Sequence, residues 1–362
     1  MKTGIDMTII KQRFDAWFNG DLHEGPLLWL VARHDMVESL ERVEPPKDPY
    51  DMYTNVERIC AEYRNYLRTH TFMADAFPAV DLNLGPGSLS LYLGSEPIFA
   101  WDTVWYKEVE MDTWHDYPLS FDPNNKWWKT HLDMHKRAQA LLGGEAYITI
   151  PDIIENMDII SAMRGPMAAC YDLMDDMGIV KQRLDQLDDL YFQYYDAIYD
   201  VVKDNDGGSA YTAFKIIGPG KTAKVQCDFN ALMSPEHFRA LVVPSLRKQC
   251  SHLSNSMFHL DGPDAIKHLP ALMEIEQLNA LQWTSGAGNS ASTDECWYPI
   301  FDQVAAAGKS IWLDVGGDAY EVIEKARKFV KRYGNKSLYL LLWDMNREDA
   351  AIVMKEAAKG FK

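Results

Sequence analysis

The stretch MFHLDGPDAIKHL, residues 257–269, ends an apolar run in His259 and Asp261 just before Gly-Pro opens what reads as a helix. Alternate side chains of a strand share a face, so His259 and Asp261 point one way and Leu260 the other, the two polar groups about 7 Å apart along the strand. An imidazole and a carboxylate so placed can lean toward one bound metal ion or one substrate group. The competing use of Asp261 is as a cap for the helix beginning near Pro263, although Pro263 has no N–H to give.

Apolar runs that end in polar groups recur along the chain. Their ends are Arg33 with His34, Asp81 with Asn83, Asp152, Cys227 with Asp228, Trp283, Asp314, and Trp343 with Asp344. Cys227 can supply a thiolate to a site at His259 and Asp261, or it is a packed thiol. Asp81, Asp152 and Asp314 suit substrate orientation or general acid–base work. Asp152, Asp228 and Asp314 equally suit capping of the helices that follow. Arg33 fits a substrate anion or a neighbouring carboxylate. Asn83 sits with Asp81 at the same strand end. Trp29, Trp101, Trp105, Trp283 and Trp343 can wall an aromatic or apolar pocket, and aromatics also fill cores. LNLGPGSL, residues 82–89, lacks the spacing of a phosphate loop and reads as a turn.

The elements that must position these groups are short apolar runs alternating with helical patterns. Strands are expected at 26–32, 77–83, 147–153, one or both of 211–217 and 224–229, then 257–262, 280–285, 310–315 and 338–343. Ser234-Pro235 opens one intervening helix, and a Gly-Asn stop at 334–335 closes another. Apolar runs without alternation suit parallel strands covered on both faces. Eight such units predict a single-domain α/β (β/α)8 barrel over 25–362, with a helical extension at 1–24 and an insertion near 95–140; a doubly wound open sheet is the alternative. In such a barrel the C-terminal strand ends carry chemistry, which puts Asp81, His259, Trp283 and Asp314 on one rim.

Composition narrows the partners. The chain of 362 residues is 47% apolar and carries a formal charge of −17, so it repels phosphate backbones, and nucleic acid is not an expected partner. No signal peptide or apolar run of membrane-spanning length is visible. Five scattered cysteines, with no CxxC pair, argue against a disulfide framework and for a reducing cytoplasm.

VQCDFNALMSPEHFRALVVPSLRK (225–248) resembles the uroporphyrinogen decarboxylase superfamily, with its Asp, Leu-Ser-Pro, Phe and Pro-x-Leu at similar intervals. FHLDGPDAIKHLPALMEIEQLNALQW resembles the element that follows. GPLLWLVAR and AVDLNLGPGSLSLYLG are similar to two earlier ones, and IPDIIENMDIISAMRG fits more loosely. The resemblance spans most of 25–345 and implies a (β/α)8 barrel. It also implies one of two chemistries. The decarboxylases use no metal and bind an octa-acidic porphyrinogen through paired arginines and an aspartate. Here a second arginine four residues after Arg33 is replaced by Val37, the C-terminal His-Gly is absent, and Asp81 remains as a porphyrinogen contact. The cobalamin-dependent methyltransferases bind zinc through His-x-Cys and a later Cys. Here His259-Leu260-Asp261 stands at His-x-Cys, with Cys227 as a further donor, and Trp283, Trp343, Arg33 and Asn83 fall to substrate binding. That reading makes the chain a metal-assisted methyltransferase for a small methoxylated or thiol substrate, with zinc at His259, Asp261 and Cys227. The corrinoid would come on a separate partner protein, because no Asp-x-His-x-x-Gly stretch occurs. Decarboxylation and a non-catalytic small-molecule-binding barrel are the alternatives, and the oligomeric state is open.

Overall fold

Eight strands follow the order of the apolar runs: β1 Leu27–Arg33, β2 Ala79–Val80, β3 Tyr147–Ile148, β4 Thr222–Gln226, β5 Asn255–Asp261, β6 Ala280–Thr284, β7 Ser310–Asp314 and β8 Leu338–Leu341. The computed structural model describes residues 6–34, 39–211 and 213–362, so Val37 lies outside the described residues. Strands β4, β5, β6, β7, β8 and β1 form one continuous parallel ladder in that order. Strands β2 and β3 form a separate parallel pair. The helices expected between them cover the sheet. Ser234 caps the helical stretch from Pro235 by accepting the His237 N–H at 3.2 Å, and Asp318 with Glu321 forms a capping box on helix Ala319–Tyr333.

Among the described residues the ladder does not run through all eight strands. Among the described residues no ladder joins β1 to β2, because the antiparallel strand His70–Ala74 occupies that edge of β1, from Trp29 opposite Ala74 to Arg33 opposite His70. No ladder joins β3 to β4 either. The antiparallel hairpin Ser209–Tyr211 and Ile216–Gly218 stands between them, bridged to Ile150 on one side and tied to Thr222 N–H by Ser209 Oγ at 3.0 Å on the other. The expected strand at 211–217 is therefore a hairpin whose turn includes 213–215, and the barrel strand of this region is Thr222–Gln226, with 228–229 already in a helical turn.

The expected N-terminal helix is Met7–Phe18 and belongs to the core. Phe14 and Trp17 are buried with their rings 5.3 and 5.4 Å from that of Tyr339, and Trp17 Nε1 donates to Ser337 O at 3.1 Å. Burial of each such ring contributes about 1.5–3 kcal/mol, enough to fix the helix over the N-terminal ends of β7 and β8. The 95–140 stretch divides into a hairpin, Glu96–Phe99 with Val104–Lys107, and a helix Lys126–Leu142 capped by Asn125. Among the described residues no helix is long and apolar enough to cross a membrane.

Candidate metal centre

Register places a row of side chains on one inner face of the sheet. Gln226 is level with His259, His259 with Gln282, Gln282 with Trp312, and Trp312 with Tyr339. One pleat repeat further toward the C-terminal ends, Asp261 is level with Thr284. Beyond Gln226, Asp228 continues the same alternation. The inner face of β4 and its extension is therefore Lys224, Gln226 and Asp228, whereas Ala223, Val225 and Cys227 face the helices and are buried.

At the open end of this face, donor atoms of Asp228, His259 and Asp261 lie within 4.8 Å of one another. Gln282 donates its amide to Thr284 Oγ1 at 2.8 Å, which turns its Oε1 toward His259 Nδ1 in close contact. The proton is thereby assigned to Nδ1, and Nε2 keeps a lone pair. Burial, followed by the Lys224 charge, holds the His259 imidazole below its ordinary pKa, so it is neutral and able to ligate. Asp261 is not a helix cap: the turn Pro263–His268 starts from Gly262 at φ +79° with no side-chain cap. Among the described residues neither His259 Nε2 nor the Asp261 carboxylate has a hydrogen-bond partner.

A second layer holds the third donor. Gln226 Nε2 donates to Asp228 Oδ2 at 2.9 Å and to Asp158 Oδ2 at 3.0 Å. Asp158 also accepts the backbone N–H groups of Asp228 and Phe229, at 2.9 and 2.8 Å. Lys224 pairs with Asp152 at 2.8 Å, and buried Glu155 accepts the Gln226 N–H at 3.0 Å. Asp228 and Asp261 are exposed at the mouth, and the Asp228 carboxyl is pushed up to about 7, first by partial desolvation and then by the neighbouring Asp158 charge. Such crowding of negative charge is relieved by a proton or a cation.

Cys227 does not join this group. It is fully buried on the opposite face of the chain from Asp228, and burial pushes its thiol well above the usual range, so no thiolate is offered. The third donor is Asp228 in its place. Trp283 does not line the mouth either: with Gln282 and Thr284 inward, Trp283 packs outward, buried, 5.0 Å from the Trp297 ring.

The remaining predicted residues are spread around the same end. Asp81, half-buried after β2, is pushed up to about 6 by burial, with Lys215 opposing and Asp152 adding. Asp152 is committed to Lys224, and Asn83 Oδ1 accepts the Gly85 N–H at 2.6 Å to close a turn. Arg33 is exposed at the end of β1. Asp314 is raised above the usual carboxylate range by burial and lines a pocket of about 470 Å³ with Ser285, Thr293 and Trp343. Reasoning from sequence missed the supporting groups Lys224, Gln226 and Gln282. Their signal is the polar–apolar alternation KVQCD and LQWT, which marks a polar inner face.

No protein-family model matches the chain, and no curated protein does. Among solved structures it is similar to a methyltransferase from Methanosarcina mazei, at 12% identity over 97% of this chain and 98% of that chain, with a TM-score of 0.61. The likeness runs end to end, and at this identity it establishes a shared fold. A B12-independent methionine synthase from a Shewanella species, in complex with selenomethionine, is similar at 8% identity over 93% of this chain and 95% of that chain, with a TM-score of 0.49.

Proposed function

We propose that the chain is a metal-assisted methyltransferase whose metal is held by Asp228, His259 and Asp261. The observation that carries the reading is the convergence of three donors within 4.8 Å at the C-terminal end of the sheet, with His259 already oriented by Gln282. One imidazole and two carboxylates are ligands that zinc accepts, and three protein ligands leave a position for substrate. When bound, zinc supplies Lewis acidity to a substrate oxygen or sulfur. The protein's own part is to orient and to move protons. Gln226 and Gln282 fix the donors, Lys224 holds Asp152 in place, and Asp81 is suited to accept a substrate proton near neutral pH. The end-to-end fold shared with a methyltransferase supports transfer chemistry; a corrinoid on a separate protein as the methyl carrier rests on the sequence resemblance alone.

The test is a methyl-transfer assay with free methylcobalamin standing in for the carrier and 2-mercaptoethanol as acceptor. The thiol sulfur forms the new S–CH3 bond as the cobalt–carbon bond breaks; the electron pair stays on cobalt, and the thiol proton goes to the protein or solvent. Zinc-dependent loss of methylcobalamin that disappears in Asp261→Asn is expected. An Asp261→Asn protein with full activity would overturn the reading.

A further inference from the structure

The seam where no ladder joins β1 to β2 holds a cavity of about 800 Å³, and none of the three donor residues lines it. Trp29, Tyr63, Tyr66, Phe72 and Phe77 give it flat aromatic walls. One cationic side chain, Lys215, enters from the hairpin turn that fills the gap between β3 and β4, its Nζ 5.8 Å from the Trp29 ring centroid.

Lys215 is held there by the fold. It adopts φ +53°, a left-handed conformation that a lysine enters only under constraint. The constraint is visible: Tyr339 Oη donates to the Lys215 carbonyl at 2.6 Å, and Trp312 Nε1 donates to the Phe214 carbonyl at 2.9 Å. Two inner-face residues of β7 and β8 thus pin two successive peptides, and the Phe214 ring packs 5.1 Å from His259.

The other charges of the cavity already have partners. Glu62 pairs with Arg58 at 2.7 Å, and Asp344 accepts from Tyr66 Oη at 3.2 Å and faces His70 at 3.5 Å. Asp81 and Asp344 act on Lys215 through space, without a hydrogen bond to it. Burial pulls the lysine ammonium below its ordinary pKa, a penalty that an anionic ligand in contact reverses.

We propose that this cavity is a binding site for a planar aromatic monocarboxylate, its ring packed among Trp29, Phe72 and Phe77 and its carboxylate on Lys215 Nζ. Volume and lining suit one or two fused rings with a single anchoring charge. The site does not depend on the metal reading, and its test uses metal-free protein.

Calorimetric titration of the full chain with 2-naphthoate, 2-naphthamide and acetate tests it. Naphthoate is expected to bind at least tenfold tighter than the uncharged amide of the same shape, and acetate not measurably. In Lys215→Met the preference should vanish while naphthamide binding stays unchanged. Equal affinity for naphthoate and naphthamide in the native protein, or binding of neither, would overturn the proposal. So would a Lys215→Met protein that keeps the preference. If that variant does not fold, the native comparison of acid with amide still decides.

Discussion

Gln282 Oε1 faces His259 Nδ1 across the register of β5 and β6, and the Gln282 amide nitrogen is itself anchored on Thr284 Oγ1. The pair sets which imidazole nitrogen carries the proton. A glutamine carbonyl there plays the part that outer partners of ligating histidines commonly play. Gln282→Leu keeps the volume and removes the acceptor. It should weaken zinc binding by about 10- to 100-fold while leaving the circular-dichroism spectrum unchanged. Unaltered affinity would show that His259 is oriented by something else.

The Asp228 carboxyl gives a pH dependence whose sign follows from its direction. Its folded pKa, about 7, lies above the ordinary carboxylate value, so between roughly pH 4 and pH 7 the folded chain holds a proton that the unfolded chain has released. The stability of metal-free protein should therefore fall as pH rises through that window and level off above it. Asp228→Asn removes this contribution, so the difference in Tm between native protein and variant, measured from pH 5 to pH 8, isolates it. Zinc competes with the same proton, so its affinity should rise from pH 6 to pH 8. A zinc affinity that falls over that range would contradict the assignment of Asp228.

Cys227→Ser separates the thiol from the site. The side chain is fully buried, so a hydroxyl there lacking a partner should cost about 1–3 kcal/mol of stability. Zinc content should stay as in the native protein, measured after gentle purification. Loss of metal in this variant would restore the cysteine as a ligand.

A porphyrinogen with eight carboxylates should not be a substrate. The open end of the sheet gathers Asp81, Asp158, Asp228, Asp261 and Asp314; its buried cation Lys224 is already paired with Asp152, and Lys215 beside Asp81 is one anchor for eight carboxylates. Incubation with uroporphyrinogen should give no coproporphyrinogen, followed by chromatography of the oxidised products. Turnover at an ordinary enzyme rate of about 1 s⁻¹ would contradict this.

Much of the architecture is legible in the apolar runs, because a strand covered on both faces is apolar whatever its neighbours. Strand pairing is not local, and no run reveals that His70–Ala74, itself partly exposed, takes the edge of β1. His259 and Asp261 were readable as a pair from the pleat alone. Choosing between Cys227 and Asp228 required the phase of β4, and the alternation of Lys224, Gln226 and Asp228 with Ala223, Val225 and Cys227 carries that phase in the sequence. Trp283 follows the same rule: its neighbours Gln282 and Thr284 are the polar, inward residues. The cavity at Lys215 left no such trace, since its walls come from segments far apart in the chain and its lysine from a turn folded against two distant strands.

Whether Asp228, His259 and Asp261 together hold a metal ion decides the proposed function. Zinc titration of metal-free protein by calorimetry, comparing native chain, Asp228→Asn, Asp261→Asn and Cys227→Ser, answers this. One zinc per chain is expected for the native protein and for Cys227→Ser, with affinity lowered at least about 100-fold in each aspartate variant. No zinc binding by the native chain, or full binding by Asp228→Asn and Asp261→Asn, would contradict it.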